Sequence, residues 1–265
     1  MATYYRKVVF PLIHKKVARK LLALSTLFAF SCFTQSALAE LTPYQAEYNA
    51  KISGVSATLH RSLEPLPNQE ADTDAKSNKP SRWLLNNKAS VLFAGFDEQS
   101  TFFVSGKNIT PLHYIYNNHL SKKRSKDILF NWEALTATNS KGKKQGPVSF
   151  TDEAFDQLSY QLQLRLDLMN DKSFCERTFT IADAGKLKHY TVQKLGEEWL
   201  ETAAGKLLTV KLEQTRAGKN RRTLIWMAKD WEYLVVKLQR FEDGESEQLL
   251  EIKEAQLGNQ QVRAL

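Results

Sequence analysis

Cysteine is nearly absent from this chain: its 265 residues hold two, Cys32 and Cys175. Histidine is scarce as well, with five, and no His/Cys cluster has the spacing of a zinc site. No metal is expected. Neither Gly-x-Ser-x-Gly nor His-Glu-x-x-His occurs, so the common motifs of serine and zinc hydrolases are missing. No glycine-rich loop of the kind that cradles phosphates is present, and no nucleotide or other cofactor is expected. Long apolar runs are missing too. The longest, Leu21 to Phe33, has about 13 residues, against the roughly 20 that cross a bilayer as a helix.

An excess of charge also vanishes on inspection. The whole chain has 37 Lys and Arg against 29 Asp and Glu, a net of +8 that suggests nucleic acid. Residues 1–39 hold six of those cations (Arg6, Lys7, Lys15, Lys16, Arg19, Lys20) and no carboxylate. The remainder is nearly balanced, with no large positive field to steer a polyanion, so no nucleic-acid partner is expected.

Those first 39 residues are the most telling part of what is there. A basic start, the apolar run and the small-residue site Ala37-Leu38-Ala39 before Glu40 have the layout of a secretory signal peptide. Cleavage after Ala39 and a periplasmic location are the expectation, with no integral membrane span after cleavage. Cys32 leaves with the signal, so Cys175 has no partner for an intrachain disulfide. Cys175 reads as a small buried residue on a strand.

From Glu40 to Leu265 the chain reads as a single β-rich domain, a length that supports a full core. Tyr44, Ala46, Tyr48, Ala50 and Ile52 alternate with Gln45, Glu47, Asn49 and Lys51, the period of a half-buried antiparallel strand. Leu208, Val210 and Leu212 alternate with polar neighbours, and Leu234, Val236 and Leu238 repeat at the same spacing. The links Thr215–Asn220 and Glu242–Glu245 carry Gly218 and Gly244, as hairpin loops do. Residues 64–80 hold three prolines among small and charged residues and read as a long mobile loop.

One stretch departs from this pattern. Residues 152–170 lack Gly and Pro and predict a helix capped by Thr151 or Asp152. Leucines cover most of its circumference, more than a surface helix needs. The expected fold is therefore mainly β: a single antiparallel meander of about ten to twelve strands, curved into a barrel or half-barrel around one central α-helix.

Within the apolar arc of that helix fall Gln161 and Arg165, four residues apart and on one face. A buried guanidinium is costly unless paired. Arg165 either pairs with a carboxylate from a sheet strand or snorkels to the sheet rim, or with Gln161 it lines a pocket and receives an anionic head group. Tyr114, Tyr116 and Trp226 are the strand aromatics that can wall such a pocket, although ordinary core packing also accounts for them. His113 and His119 share a strand face but lie roughly 20 Å apart, too far to share an ion. Basic clusters at Lys122–Arg124, Lys141–Lys144 and Lys219–Arg222 sit at turns, where solvation explains them and an anionic surface can also meet them.

Several stretches resemble the bacterial exported family known as domain of unknown function 3108. They are Leu41-Thr42-Pro43-Tyr44-Gln45-Ala46-Glu47-Tyr48, Ile109-Thr110-Pro111-Leu112-His113-Tyr114-Ile115-Tyr116, Phe130-Asn131-Trp132, and the C-terminal runs Gly205–Leu212, Arg222–Asp230 and Tyr233–Leu238. The resemblance implies a β-rich fold with a helix in the middle and carries no catalytic set. The leading expectation is non-enzymatic binding of an apolar or amphipathic, lipid-like cell-envelope ligand in the sheet concavity. The alternatives are an envelope scaffold with a solid core, and a hydrolase with a dispersed site.

Overall fold

The computed structural model describes residues 41–52, 54–67, 81–91 and 94–264. The expected signal peptide and residues 68–80 of the expected loop lie outside the described residues. The sheet begins with β1 (Tyr44–Ile52), β2 (Val55–Pro65), β3 (Ser81–Val91), β4 (Ala94–Ser105) and β5 (Asn108–Asn118). It continues with β6 (Lys126–Asn131), β7 (Thr136–Asn139) and β8 (Gly146–Ser149). After the helix α1 (Ser159–Asn170) come β9 (Glu176–Ala182), β10 (Leu187–Thr202), β11 (Gly205–Thr215) and β12 (Arg221–Ala228). Then follow β13 (Leu234–Glu242), β14 (Glu245–Leu257) and the two-residue β15 (Gln260–Gln261). The 15 strands among the described residues exceed the expected number because short strands such as β8 and β15 are too brief to show a period in the sequence.

The strands form one antiparallel sheet, a nearly closed barrel. β1 to β8 run as one meander and β9 to β14 as another, joined where β1 pairs with β14. The ends of this path are β8 and β9. The chain between them bridges the gap: Phe150 N donates to Leu135 O at 2.9 Å, and Phe155 pairs in parallel with Ile181. The turn joining β13 to β14 is the two-residue Asp243-Gly244, at φ 50° and 88°, the left-handed pair that a tight hairpin requires. β2 extends to Pro65, so the expected loop starts later than residue 64.

The helix is shorter than the sequence suggests. It starts at Ser159, not near Asp152, because Phe155 is drawn into strand pairing with Ile181. Asp156 then opens the helix. Its Oδ1 accepts from Leu158 N at 2.8 Å and Ser159 N at 2.9 Å, while Ser159 Oγ accepts from Asp156 N at 2.9 Å. This reciprocal cap satisfies donors that a helix start leaves bare. Asp152 caps only a local turn, accepting from Glu153 N.

Eight of the helix's twelve residues are buried, polar ones among them. Gln163 acts as a side-chain rung for the β4–β5 hairpin: its Oε1 accepts from Ile109 N and its Nε2 donates to Lys107 O, both at 2.8 Å. Tyr160 donates to Gln214 of β11, and Asp167 accepts from Arg177 of β9. The leucines pack with inward strand residues, Leu164 and Leu166 against a core that includes Tyr48, Leu85, Phe102, Leu212 and Val236.

Candidate functional site

Along the inward faces of six strands the side chains change from apolar to polar toward one end of the barrel. On β2 the series runs Leu63, Arg61; on β3, Leu85, Asn87; on β4, Phe102, Ser100, Glu98. On the other half it runs Leu212 to Gln214 on β11, Ile225 to Thr223 on β12 and Leu238 to Arg240 on β13. Period-two alternation puts each set on one face. Where the apolar residues stop, a cleft of about 610 Å³ opens. Gln157, Tyr160 and Gln161, at the start of the helix, contribute to its lining.

Eight cations line this cleft: Arg61, Lys126, Lys186, Lys188, Arg216, Lys219, Arg221 and Arg240. Three carboxylates, Glu98, Asp183 and Glu242, face them. Four tyrosines (Tyr114, Tyr116, Tyr160, Tyr190) and apolar residues such as Leu59, Leu238 and Leu250 complete the walls. Arg61 is buried, yet its hydrogen bonds go to neutral groups, Asn87 Oδ1 at 2.7 Å, Gln161 Oε1 at 3.1 Å and the Tyr44 hydroxyl. Burial works against its charge, but Tyr44, Tyr48 and Glu98 outweigh that and hold the guanidinium pKa above its ordinary value. Glu98 accepts from Tyr114 OH at 2.6 Å and Asn87 Nδ2 at 3.0 Å. Burial, and then the charge of Glu98, keep the Tyr114 phenol protonated far above its usual range.

Asp183 sits between Lys126 of β6, at 2.6 Å, and Lys188 of β10, so it joins the two meanders. Burial depresses the Lys126 ammonium. Burial, with repulsion from Lys126, Arg216, Arg221 and Arg240, pushes Lys188 down to about 8. One carboxylate shared by two lysines does not offset that crowding.

Of the five side chains singled out in the sequence, Gln161, Tyr114 and Tyr116 line this cleft. Arg165, one helical turn beyond Gln161, does not: its Nε donates to the Glu232 carbonyl at 3.0 Å, and it is buried against the turn before β13. The carboxylate partner of Arg165 is therefore a turn residue. Trp226 is also elsewhere, its indole bonded to Glu198 between Lys211 and Lys237 on the other face of β12. Cys175 precedes β9 and is exposed, against the expectation of a buried strand residue, because the strand starts one residue later. His113 hydrogen-bonds Asp127 at 2.7 Å, and neither lines the cleft. Among the described residues no group of three or more metal-ligating side chains gathers.

Sequence reasoning missed Arg61 and Arg240. The signal was there: Arg61 interrupts the apolar period-two series Leu59-Arg61-Leu63, and Arg240 ends the series Val236-Leu238-Arg240, each at an inward position. The same test that picked out Arg165 on the helix applies to strands.

No curated protein matches the sequence. Among solved structures the chain is similar to a β-barrel-like protein of domain of unknown function DUF1849 from Brucella abortus. That likeness has 10% identity and a TM-score of 0.51, and covers 83% of this chain and 99% of the other. It bears on the fold alone. A protein described as exported, with a YmcC-like fold, from Bacteroides fragilis NCTC 9343 is 9% identical at a TM-score of 0.39, covering 83% and 98%. A protein described as a lipoprotein from Parabacteroides distasonis ATCC 8503 is 9% identical at a TM-score of 0.31, covering 82% and 100%. The model of a family described as "Protein of unknown function (DUF3108)" matches residues 78–250, more than half of the chain, and the chain belongs to that family.

Proposed function

We propose that this chain is an exported, non-enzymatic binding protein whose cleft takes an amphipathic cell-envelope ligand. The observation that carries the reading is the cleft of about 610 Å³, where tyrosines and leucines meet a surplus of cations. Its size is that of a small-molecule site, and its mixed walls suit a ligand with a charged head and an apolar portion. A purely apolar ligand is disfavoured, because the buried leucines of the helix belong to the same cluster as the apolar strand residues and already cover them. Export rests on the signal-like layout of 1–39. No helix among the described residues is long and apolar enough to cross a membrane.

The test is native mass spectrometry of the full-length gene product, purified from the envelope fraction of its own host. The expected result is a chain beginning at Glu40 that carries an adduct of a few hundred daltons. A chain that keeps residues 1–39 refutes export. A chain without adduct, which also fails to take up added short-chain amphiphiles, refutes binding.

A scaffold role is the second reading, favoured by one observation. β10 runs to Thr202, but its pairing with β9 spans only Leu187 to Gln193, and the exposed Leu195 and Trp199 lie beyond. Co-purification of a stoichiometric protein partner lost in Trp199→Glu, with an empty cleft, favours that role.

A further inference from the structure

The cations of the cleft are not equally occupied. Lys126 and Lys188 share Asp183, and Arg221 meets Glu242. Among the described residues, Arg61, Lys186, Arg216, Lys219 and Arg240 have no carboxylate within ion-pair distance. Three of them crowd two hairpins. Lys186 closes the β9–β10 turn, where its backbone N–H donates to Asp183 O at 3.3 Å. Arg216 and Lys219 shape the β11–β12 turn, where Lys219 N donates to Arg216 O at 3.2 Å. Arg240 lines the same cleft, and its Nε is buried without a hydrogen-bond partner.

These cations stand near enough to repel one another. The Lys186 ammonium is held below its ordinary pKa by Lys144 first, then by burial and by Arg216 and Lys219. An anion relieves such crowding. A solvated hairpin tip accounts for one or two lysines. It does not account for two neighbouring turns aiming unpaired cations into a concave site beside a buried, unsatisfied guanidinium nitrogen.

The charge count narrows the anion. Eight cations against three carboxylates leave a surplus of five on the cleft walls. A monocarboxylate head offsets one of these. A phosphate monoester or pyrophosphate group carries about two or more negative charges and several acceptor oxygens. That matches a guanidinium fork flanked by ammonium groups. We propose that the cleft is a phosphate-recognition site: Lys186, Arg216, Lys219 and Arg240 bind a multiply charged phosphate or pyrophosphate head, and the Tyr116 and Leu238 walls receive what it is attached to. This inference rests on the binding reading above and specifies its head group.

The experiment titrates the full chain, by calorimetry at low and moderate salt, with three probes. Dihexanoyl phosphatidic acid has head and tails, dihexanoylglycerol has the same tails without phosphate, and inorganic pyrophosphate has no tails. The companion variant is the triple substitution Lys186→Gln, Arg216→Gln, Lys219→Gln, with single substitutions alongside and circular dichroism to confirm folding. Phosphatidic acid is expected to bind at least about tenfold more tightly than dihexanoylglycerol. The triple variant is expected to lose that advantage and leave the diacylglycerol affinity unchanged, and added salt to weaken the phosphate-dependent part. Pyrophosphate that binds as tightly as phosphatidic acid supports the phosphate site and identifies a soluble phosphate compound as its source, against the amphiphile reading. Equal affinity for the two dihexanoyl probes, or an unaltered triple variant, overturns the phosphate site and leaves amphiphile binding standing. Failure of all three probes overturns both.

Discussion

Arg165 and Glu232 meet twice. Arg165 Nε donates to the Glu232 carbonyl at 3.0 Å, and Arg165 Nη2 lies 3.5 Å from Glu232 Oε2. The guanidinium also lies over the Tyr44 ring, 5.1 Å from its centre. Glu232 Oε1 and Oε2 accept from Thr42 Oγ1 and N, at 2.5 and 3.3 Å. One side chain thus ties the middle of the helix, the turn before β13 and the chain entering β1. Its backbone adopts φ 50°, a left-handed conformation uncommon for a non-glycine residue, which these contacts hold in place.

That relationship predicts an asymmetry. Arg165 is 2% exposed and Glu232 is 28% exposed. Glu232→Ala strands a buried guanidinium and costs about 3 kcal/mol. Arg165→Met replaces the charge with an apolar side chain of similar length, leaves a carboxylate that reaches water, and costs about 1 kcal/mol. Urea denaturation of the two variants measures both, and equal losses contradict the account.

Asp156 predicts a pH dependence. Its carboxyl is wholly buried, and burial pushes it up to about 6 against the hydrogen bonds from Ser100, Ser159 and Leu158. The unfolded group titrates near 3.8. Between those values the folded chain binds more protons than the unfolded one, so stability falls as pH rises from about 4 to about 6, then levels. Two pKa units correspond to about 3 kcal/mol. Asp156→Asn keeps an oxygen for the helix cap and removes the titration. The difference in unfolding free energy between wild type and variant is therefore expected to change across that window. A difference constant from pH 4 to 7.5 contradicts the assignment.

Lys188 predicts a reactive amine. With its pKa pushed down to about 8, half of it is neutral at that pH. Lys229 is the contrast, held above its ordinary value by Glu197. Labelling with an acetylating ester across pH 7 to 12, read by peptide mass spectrometry, is expected to place the Lys188 midpoint well below that of Lys229. An anion in the cleft favours the protonated form and moves the Lys188 midpoint up. Coincident midpoints for the two lysines contradict the crowding of cations around Asp183.

Much of the barrel was legible because alternation is a local property. Tyr44, Ala46, Tyr48 and Ala50 are buried as their spacing says, and Gly218 and Gly244 mark real hairpins. The helix start was not legible, since Phe155 leaves the helix for a partner, Ile181, that lies 26 positions away in the chain. Gln161, Tyr114 and Tyr116 came together; Arg61 and Arg240 were each visible as a charge in an apolar alternation, but that they and Lys188 share one cleft depends on strand adjacency that no short window records. Trp226 shows the reverse failure. Its position on a strand was plain, and alternation with Thr223 and Ile225 puts it on the opposite face of β12, but which face of the strand turns inward depends on the neighbouring strands, which no short window records.

Trp226 and Tyr116 give the last prediction. Trp226 is 5% exposed, with Lys211 Nζ 5.1 Å and Lys237 Nζ 5.4 Å from its ring centre and its N–H bonded to Glu198. Thr223 and Ile225 take the inward face of β12, so this indole seals the outer wall. Tyr116 lines the cleft, with its ring 5.5 Å from Phe96 and 5.8 Å from Lys126 Nζ. Trp226→Ala removes a large packed ring and two cation–π contacts, at a cost of about 3 kcal/mol. Affinity of the remaining folded protein for a short-chain amphiphile is expected to stay within about twofold of wild type. Tyr116→Ala removes a half-buried wall residue, costs about 1 kcal/mol in stability, and weakens the amphiphile roughly fivefold. Urea denaturation and calorimetry on the same two preparations separate the effects. Loss of binding in Trp226→Ala with binding retained in Tyr116→Ala moves the ligand to the outer wall and removes the cleft from consideration.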